Sequence, residues 1–222
     1  MKLVAVIPAY NEEKHIGEVV QGVKKYTNNV IVIDDGSKDK TYQIALERGA
    51  RVYRHLINRG LGGALGTGIK TALLSGAEII VTLDADGQHD PNEIPKIIEP
   101  IREGKADVVI GSRFLSRQSM PLFRRLGNPF LNLITFFLFG VWSTDSQSGM
   151  RAFNKKAAQS LEIYTNGMEV SSEILKEIQA HRFRLKEIPI KSIYTDYSLS
   201  KGQGLIPGLK TLFKLFILKL IK

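Results

Sequence analysis

Apolar residues follow two rhythms along this chain. Leu3–Ile7 (LVAVI), Val30–Ile33 (VIVI) and Ile79–Leu83 (IIVTL) are short unbroken apolar runs, the pattern of strands buried on both faces. Between them the spacing turns helical: Ile16, Val19, Val20 and Val23 share one face of a predicted helix over about Glu12–Tyr26. Further helices are predicted near Lys40–Arg48 and over Gly62–Leu74, with short strands at Arg51–Arg54 and Asp107–Ile110. Asp90-Pro91 opens another helix, Asp as N-cap and Pro at the first helical position. Strand and helix in alternation predict an α/β fold, a mostly parallel sheet with helices on both faces and right-handed crossovers.

The second half is less regular. Leu126–Thr144 is uncharged and includes the apolar stretch Leu133–Trp142, but Asn128, Pro129, Asn132 and Thr135 interrupt it. Such a segment spans a membrane poorly and suits its interface. Ser143–Asn154 reads as loop or strand, Lys155–Ile163 and Val170–His181 as helices, and Leu185–Ile193 as an edge strand. Leu205–Lys222 alternates apolar residues with Lys210, Lys214, Lys219 and Lys222, a basic amphipathic C-terminal helix.

In parallel sheets ligands sit beyond the carboxyl ends of the strands. Here Tyr10-Asn11-Glu12, Asp34-Asp35 and Asp84-Ala85-Asp86 each follow a predicted strand, so three polar clusters converge on one edge. Asp84 and Asp86 would repel unless they diverge or share a cation; Mg²⁺ or Mn²⁺ suits such oxygen ligands, with Gln88 or His89 to complete the shell. A plain polar turn before the next helix accounts for the same residues. Asp34 or Asp35 suits a nucleobase N–H or ribose hydroxyl, and equally a turn. Gly60–Gly68 (GLGGALGTG) is no phosphate loop, since no Gly-Lys-Ser/Thr ends it, and reads as a closely packed helix.

Charge adds a second theme. The 222 residues hold 31 Lys+Arg against 22 Asp+Glu, a net +9, and no Cys. Without Cys, disulfide scaffolds, Cys-ligated zinc and thiol catalysis are excluded. Arg113, Arg117, Arg124 and Arg125 lie in an acid-free stretch, as do the five lysines from Lys201 to Lys222, and together they equal the whole net charge. Basic segments beside apolar residues point to an anionic membrane surface or phosphorylated ligands, not to nucleic acid.

Pro8–Glu12 (PAYNE), Asp34–Asp39 (DDGSKD), Asp84–Pro91 (DADGQHDP), Gly111-Ser112-Arg113 and Asp145–Phe153 (DSQSGMRAF) stand in the order found in family 2 glycosyltransferases. Over about residues 3–200 the chain resembles that family and its dolichol-phosphate mannosyltransferase-like subgroup. The resemblance implies a Rossmann-like GT-A catalytic domain at 1–200, followed by the basic helix at 201–222. It also implies an inverting, metal-dependent transfer of a hexose from a nucleotide sugar, GDP-mannose or UDP-glucose in type, to a polyprenyl or dolichyl phosphate.

By the same resemblance Pro8, Tyr10, Glu12 and Asp34 or Asp35 line the nucleoside pocket, and Lys201 closes over the diphosphate. Asp84 meets ribose or metal, while Asp86 and Gln88 hold Mg²⁺ or Mn²⁺. Arg113 with Arg124 or Arg125 faces phosphates, and Asp145, Gln147 and Ser148 lie near acceptor and sugar. Two positions depart from the pattern: Asp196–Ser200 (DYSLS) lacks the Arg often found there, and Arg59 stands where a nearby Lys is usual. A phosphate acceptor is already ionised, so positioning by arginine suffices; a hydroxyl acceptor would need a base, for which Asp145 is the first candidate. The expected setting is cytoplasmic, peripheral at the cytosolic membrane face, with homo-oligomers possible. The rivals are a same-fold transferase with a hydroxyl acceptor and a non-enzymatic membrane-surface module.

Overall fold

The computed structural model describes residues 1–116 and 132–193. Arg117, Arg124, Arg125, Lys201, the Asp196–Ser200 departure and the basic helix expected at 201–222 lie outside the described residues.

Among the described residues seven strands form one sheet in the order β3-β2-β1-β4-β6-β5-β7. They are β1 (Leu3–Ala9), β2 (Val30–Asp34), β3 (Arg51–Arg54), β4 (Ile79–Thr82), β5 (Val108–Ser112), β6 (Arg151–Asn154) and β7 (Leu185–Pro189). All pairings are parallel except those of β6, which runs antiparallel to both β4 and β5. The helices are α1 (Ile16–Lys24), α2 (Thr41–Glu47), α3 (Gly60–Leu74), α4 (Ile94–Arg102), α5 (Lys155–Ser160) and α6 (Val170–Ala180), and residues 132–139 are also helical.

Side chains alternate across a strand, so β1 feeds two cores. Leu3, Ala5, Ile7 and Ala9 pack with Ile16, Val19, Val20 and Val23 of α1 and Ile94, Ile97 and Ile98 of α4. Val4 and Val6 pack on the other face with Ala64, Leu65 and Ile69 of α3 and Ile174 and Leu175 of α6. Each fully buried Val or Ile contributes about 2 kcal/mol in transfer terms. The small residues of α3 serve this packing: a Cβ at Gly68 would collide with the Val6 side chain.

The predicted elements of the first half match to within a few residues, α1 excepted at its start. Asn11 adopts a left-handed conformation (φ 55°), and the chain turns through Glu12–His15 before the helix begins. Asp90 caps as expected, its carboxylate accepting the Asn92 N–H. Among the described residues no helix is long and apolar enough to cross a membrane.

Candidate active site

The reversed strand builds the site. Because β6 runs against its neighbours, its start lies beside the carboxyl ends of β4 and β5, with Arg151 opposite Thr82 and Ile110. The segment Asp145–Met150 that enters β6 therefore joins Asp84–Asp86 after β4 and Arg113 after β5. The Thr82 hydroxyl donates to the Gly149 carbonyl at 2.9 Å, closing the seam. Gly149 backs directly onto Asp84, where any Cβ would overlap the carboxylate.

Asp84 and Asp86 are held differently. His89 Nε2 lies 3.1 Å from Asp84 Oδ2. Enclosure pushes the Asp84 carboxyl up, but the His89 hydrogen bond and the charges of His89, Arg113 and Arg151 outweigh that and hold it below its usual range. Asp86 moves the other way, raised first by burial and then by the charge of Asp84, despite hydrogen bonds from Gln88. The Gln88 backbone N–H (2.9 Å) and side-chain amide both donate to Asp86. A carboxylate destabilised by its neighbour, with further oxygens nearby, fits a hard divalent cation. Asp84, Asp86 and the Gln88 amide oxygen are the residues that would hold Mg²⁺ or Mn²⁺.

Asp145 is fully buried beneath Arg113. Its Oδ2 accepts from the Arg113 backbone N (3.0 Å) and Nε (2.7 Å), and its Oδ1 from Nη2 (2.7 Å). This bidentate pair fixes the direction of the guanidinium. Glu187 on β7 secures the approach, accepting from the Ser143 hydroxyl and from the Thr144 N–H and hydroxyl. Ser148 is buried and its hydroxyl accepts the Met150 N–H, whereas Gln147 is half-buried and donates to the Ser146 hydroxyl.

On the nucleoside side, Pro8 and Glu12 are buried and Tyr10 stands exposed at the end of β1. Asp34 is wholly buried: Oδ1 accepts the Ser37 N–H and Oδ2 faces Arg54 Nε at 3.1 Å. The structure thus turns Asp34 inward, and Asp35 beside it is buried as well. Asp35 accepts from His55 Nδ1 (2.6 Å) and from the backbone N–H groups of Arg59 (2.9 Å) and Gly60 (2.6 Å). It caps the start of α3, so that helix end is satisfied by the protein itself.

Sequence reasoning passed over Gly149 and Arg151. Arg151 is a fully buried arginine on β6, and its signal was a lone charge inside the apolar run Met150–Phe153.

A mostly parallel sheet with one reversed strand, an acidic pair after β4 and a facing arginine form the arrangement of a glycosyltransferase of the GT-A fold. The description "Glycosyl transferase family 2" matches residues 4–161, and the chain belongs to that family. The chain is 41% identical to the UDP-N-acetylglucosamine–dolichyl-phosphate N-acetylglucosaminyltransferase of Methanococcus voltae, covering 98% of this chain and 96% of that one. It is 30% identical to the undecaprenyl-phosphate mannosyltransferase of Micrococcus luteus, over 94% and 90% of the two chains. Among solved structures it resembles glucosyl-3-phosphoglycerate synthase from Mycobacterium tuberculosis, crystallised with Mn²⁺, UDP and glucosyl-3-phosphoglycerate. That likeness has a TM-score of 0.75 at 20% identity, covers 98% of this chain and 79% of the other, and bears on the fold.

Proposed function

We propose that this enzyme moves a sugar from a nucleotide sugar to a polyprenyl or dolichyl phosphate, with inversion at the anomeric carbon. The observation that carries this reading is the Arg113–Asp145 pair. Asp145 is buried with both oxygens on Arg113, so the acceptor side presents an oriented cation instead of a base. A phosphate monoester is already ionised at neutral pH and needs orientation, not deprotonation. A hydroxyl nucleophile would need the base that this arrangement withholds. The names of the Methanococcus and Micrococcus relatives support the same acceptor class.

Tyr10, Glu12 and Asp35 flank the nucleoside, while Asp84, Asp86 and Gln88 face its diphosphate. Those three residues would hold Mg²⁺ or Mn²⁺, which when bound would supply positive charge to the leaving diphosphate. Arg113, with Arg124 or Arg125, holds the acceptor phosphate for attack from the opposite face, next to Gln147 and Ser148. Lys201 adds positive charge at the diphosphate.

The surface near this pair supports the reading of peripheral contact with a membrane. Phe137 (71% exposed) and Trp142 (59%) stand out beside Leu133 and Phe136, with Phe136 packed edge-on to both Phe137 and Trp142. Exposed aromatic clusters of this kind suit a bilayer interface.

The test offers the full chain short polyprenyl phosphate with labelled UDP-N-acetylglucosamine, UDP-glucose and GDP-mannose in parallel, with Mn²⁺ or Mg²⁺. Label from at least one donor should enter the organic phase, and Arg113→Gln should lower that transfer about 100-fold. Folded, diphosphate-binding protein that moves label from none of the three donors into the organic phase would overturn the reading.

A further inference from the structure

Exposed apolar side chains are ordinary singly and informative where they gather. In this protein they gather along the carboxyl edge of the sheet, beyond the aromatic cluster as well as within it. Leu115 follows β5 and Ile193 follows β7, and both are exposed. The loop after β3 carries Leu56, fully exposed, with Ile57 beside it at 72%. At the opposite edge the exposed Met1, Leu46 and Leu74 stand on three separate elements.

The loop after β3 is braced at both ends by the acids that follow β2. At one end the His55 N–H donates to the Asp34 carbonyl at 2.9 Å, and the His55 ring meets Asp35 and the Thr67 hydroxyl. At the other end the Arg59 and Gly60 N–H groups donate to the same Asp35 carboxylate. Beneath, Gly36 lies against the backbone of Ile57 and Asn58, where a Cβ would come within 3.1 Å of the Asn58 nitrogen. Leu56 and Ile57 thus stand at the tip of a loop ordered in advance, which lowers the entropy cost of any contact they make.

Charge says what covers the tip. From Arg48 to Ala77 the chain has no Asp or Glu, and its cations are Arg48, Arg51, Arg54, Arg59 and Lys70. Arg54, which also pairs with Asp34, and Arg59 flank the tip, and both are exposed. On the adjoining loop exposed Lys38 and Lys40 flank Asp39, whose carboxylate is taken up by Thr41 and the Glu13 N–H. Aliphatic side chains between arginines suit an anionic bilayer: the apolar groups enter the acyl boundary while the guanidiniums stay among the headgroups.

We propose that Leu56 and Ile57 form a second bilayer-inserting contact, which with the aromatic cluster lays the carboxyl edge of the sheet against an anionic leaflet. Five strand spacings, about 24 Å, separate β3 from β5. One contact leaves a protein free to roll about it, whereas two this far apart on one sheet fix the tilt of the cleft over the membrane. The proposal rests on the membrane contact read above from Phe137 and Trp142, and supplies its other end.

The sequence suits a direct test, since it has no Cys and Trp142 is its one tryptophan. The full chain carries an environment-sensitive fluorophore at Leu56→Cys, or at Leu74→Cys as the control for the opposite edge. It is mixed with phosphatidylcholine vesicles containing phosphatidylglycerol and a spin-labelled quencher lipid. Trp142 and the label at position 56 should both be quenched, and the label at position 74 should not. Leu56→Ser combined with Ile57→Ser should lower vesicle partitioning about tenfold, the scale of loss for inserted aliphatic side chains. Its transfer to a short polyprenyl phosphate in vesicle-free buffer should match the wild type. Leu74→Ser should leave partitioning unchanged. Quenching of Trp142 without quenching at position 56 overturns the proposal, as does wild-type partitioning in the double variant, and either result leaves the aromatic contact standing. Equal quenching at all three positions means adsorption without orientation and overturns it too. A signal at position 56 that rises with protein concentration in the absence of vesicles assigns the tip to a second copy of the chain, against the proposal. Quenching at none of the three overturns this contact and the membrane reading together, while transfer of label into the organic phase still decides the chemistry.

Discussion

Two acidic pairs follow buried parallel strands in this protein, and the fold treats them in opposite ways. Asp34 and Asp35 after β2 are supplied with internal donors: Ser37 N–H, Arg54, His55, and the first N–H groups at α3. Asp84 and Asp86 after β4 are left in conflict, one carboxyl held down by His89 and two arginines, the other pushed up by burial and its neighbour. Residue type and spacing look alike in the two pairs. What separates them is whether the protein itself completes the charge balance. A completed pair fixes the loop that carries Asp35, whereas an incomplete one suits the cation proposed above.

The sharpest way to break this contrast is Asp86→Asn. Transfer should fall by about 1,000-fold, as expected when a group stabilising leaving-group charge is lost. Thermal stability of the metal-free protein should hold or rise. The sign follows from the raised pKa. A carboxyl raised by folding carries no penalty below its unfolded value near pH 4, and a full penalty once the pH passes its folded value. Asn removes that penalty at neutral pH. For the same reason Mn²⁺ binding to the wild type should weaken on acidification before the pH reaches the ordinary aspartate value. A metal-free melting temperature that drops in Asp86→Asn would count against the conflict.

Gly149→Ala comes next. The new methyl must displace the Asp84 carboxylate, so activity should fall about 100-fold, with about 1–3 kcal/mol lost to overpacking. Chemical denaturation and kinetics on the same preparation would separate the two effects. The smallest loss of activity is expected from Asp35→Asn. Removing the charge weakens the α3 cap and the His55 contact, at a cost of about 1–3 kcal/mol. The Mn²⁺ dependence of transfer should stay as in the wild type. A changed Mn²⁺ requirement there would show that the two pairs are not separate in function.

Much of this was legible in the sequence. Apolar runs marked β1, β2 and β4 because strands buried on both faces leave no room for polar residues. The Asp90–Pro91 start was readable because capping is local. The convergence of Tyr10–Glu12, Asp34–Asp35 and Asp84–Asp86 followed from strand direction alone. The reversal of β6 was not legible, since four residues of strand carry no sign of their direction. With it went the arrival of Gly149 behind Asp84 and the burial of Arg151. Arg113 and Asp145 were both singled out, but their union spans 32 positions and depends on β5 and β6 lying side by side. Motif order named the partners without revealing that one is occupied in steering the other.

Asn132 carries a last consequence. Its amide donates to the Thr144 carbonyl and its side-chain oxygen accepts the Ser146 N–H, so it grips both shoulders of Asp145 from the aromatic helix. A bilayer that rocks Phe137 and Trp142 would tug at the one acid that aims Arg113. Under the proposed membrane contact, depth in the lipid and aim at the incoming phosphate would be a single mechanical variable.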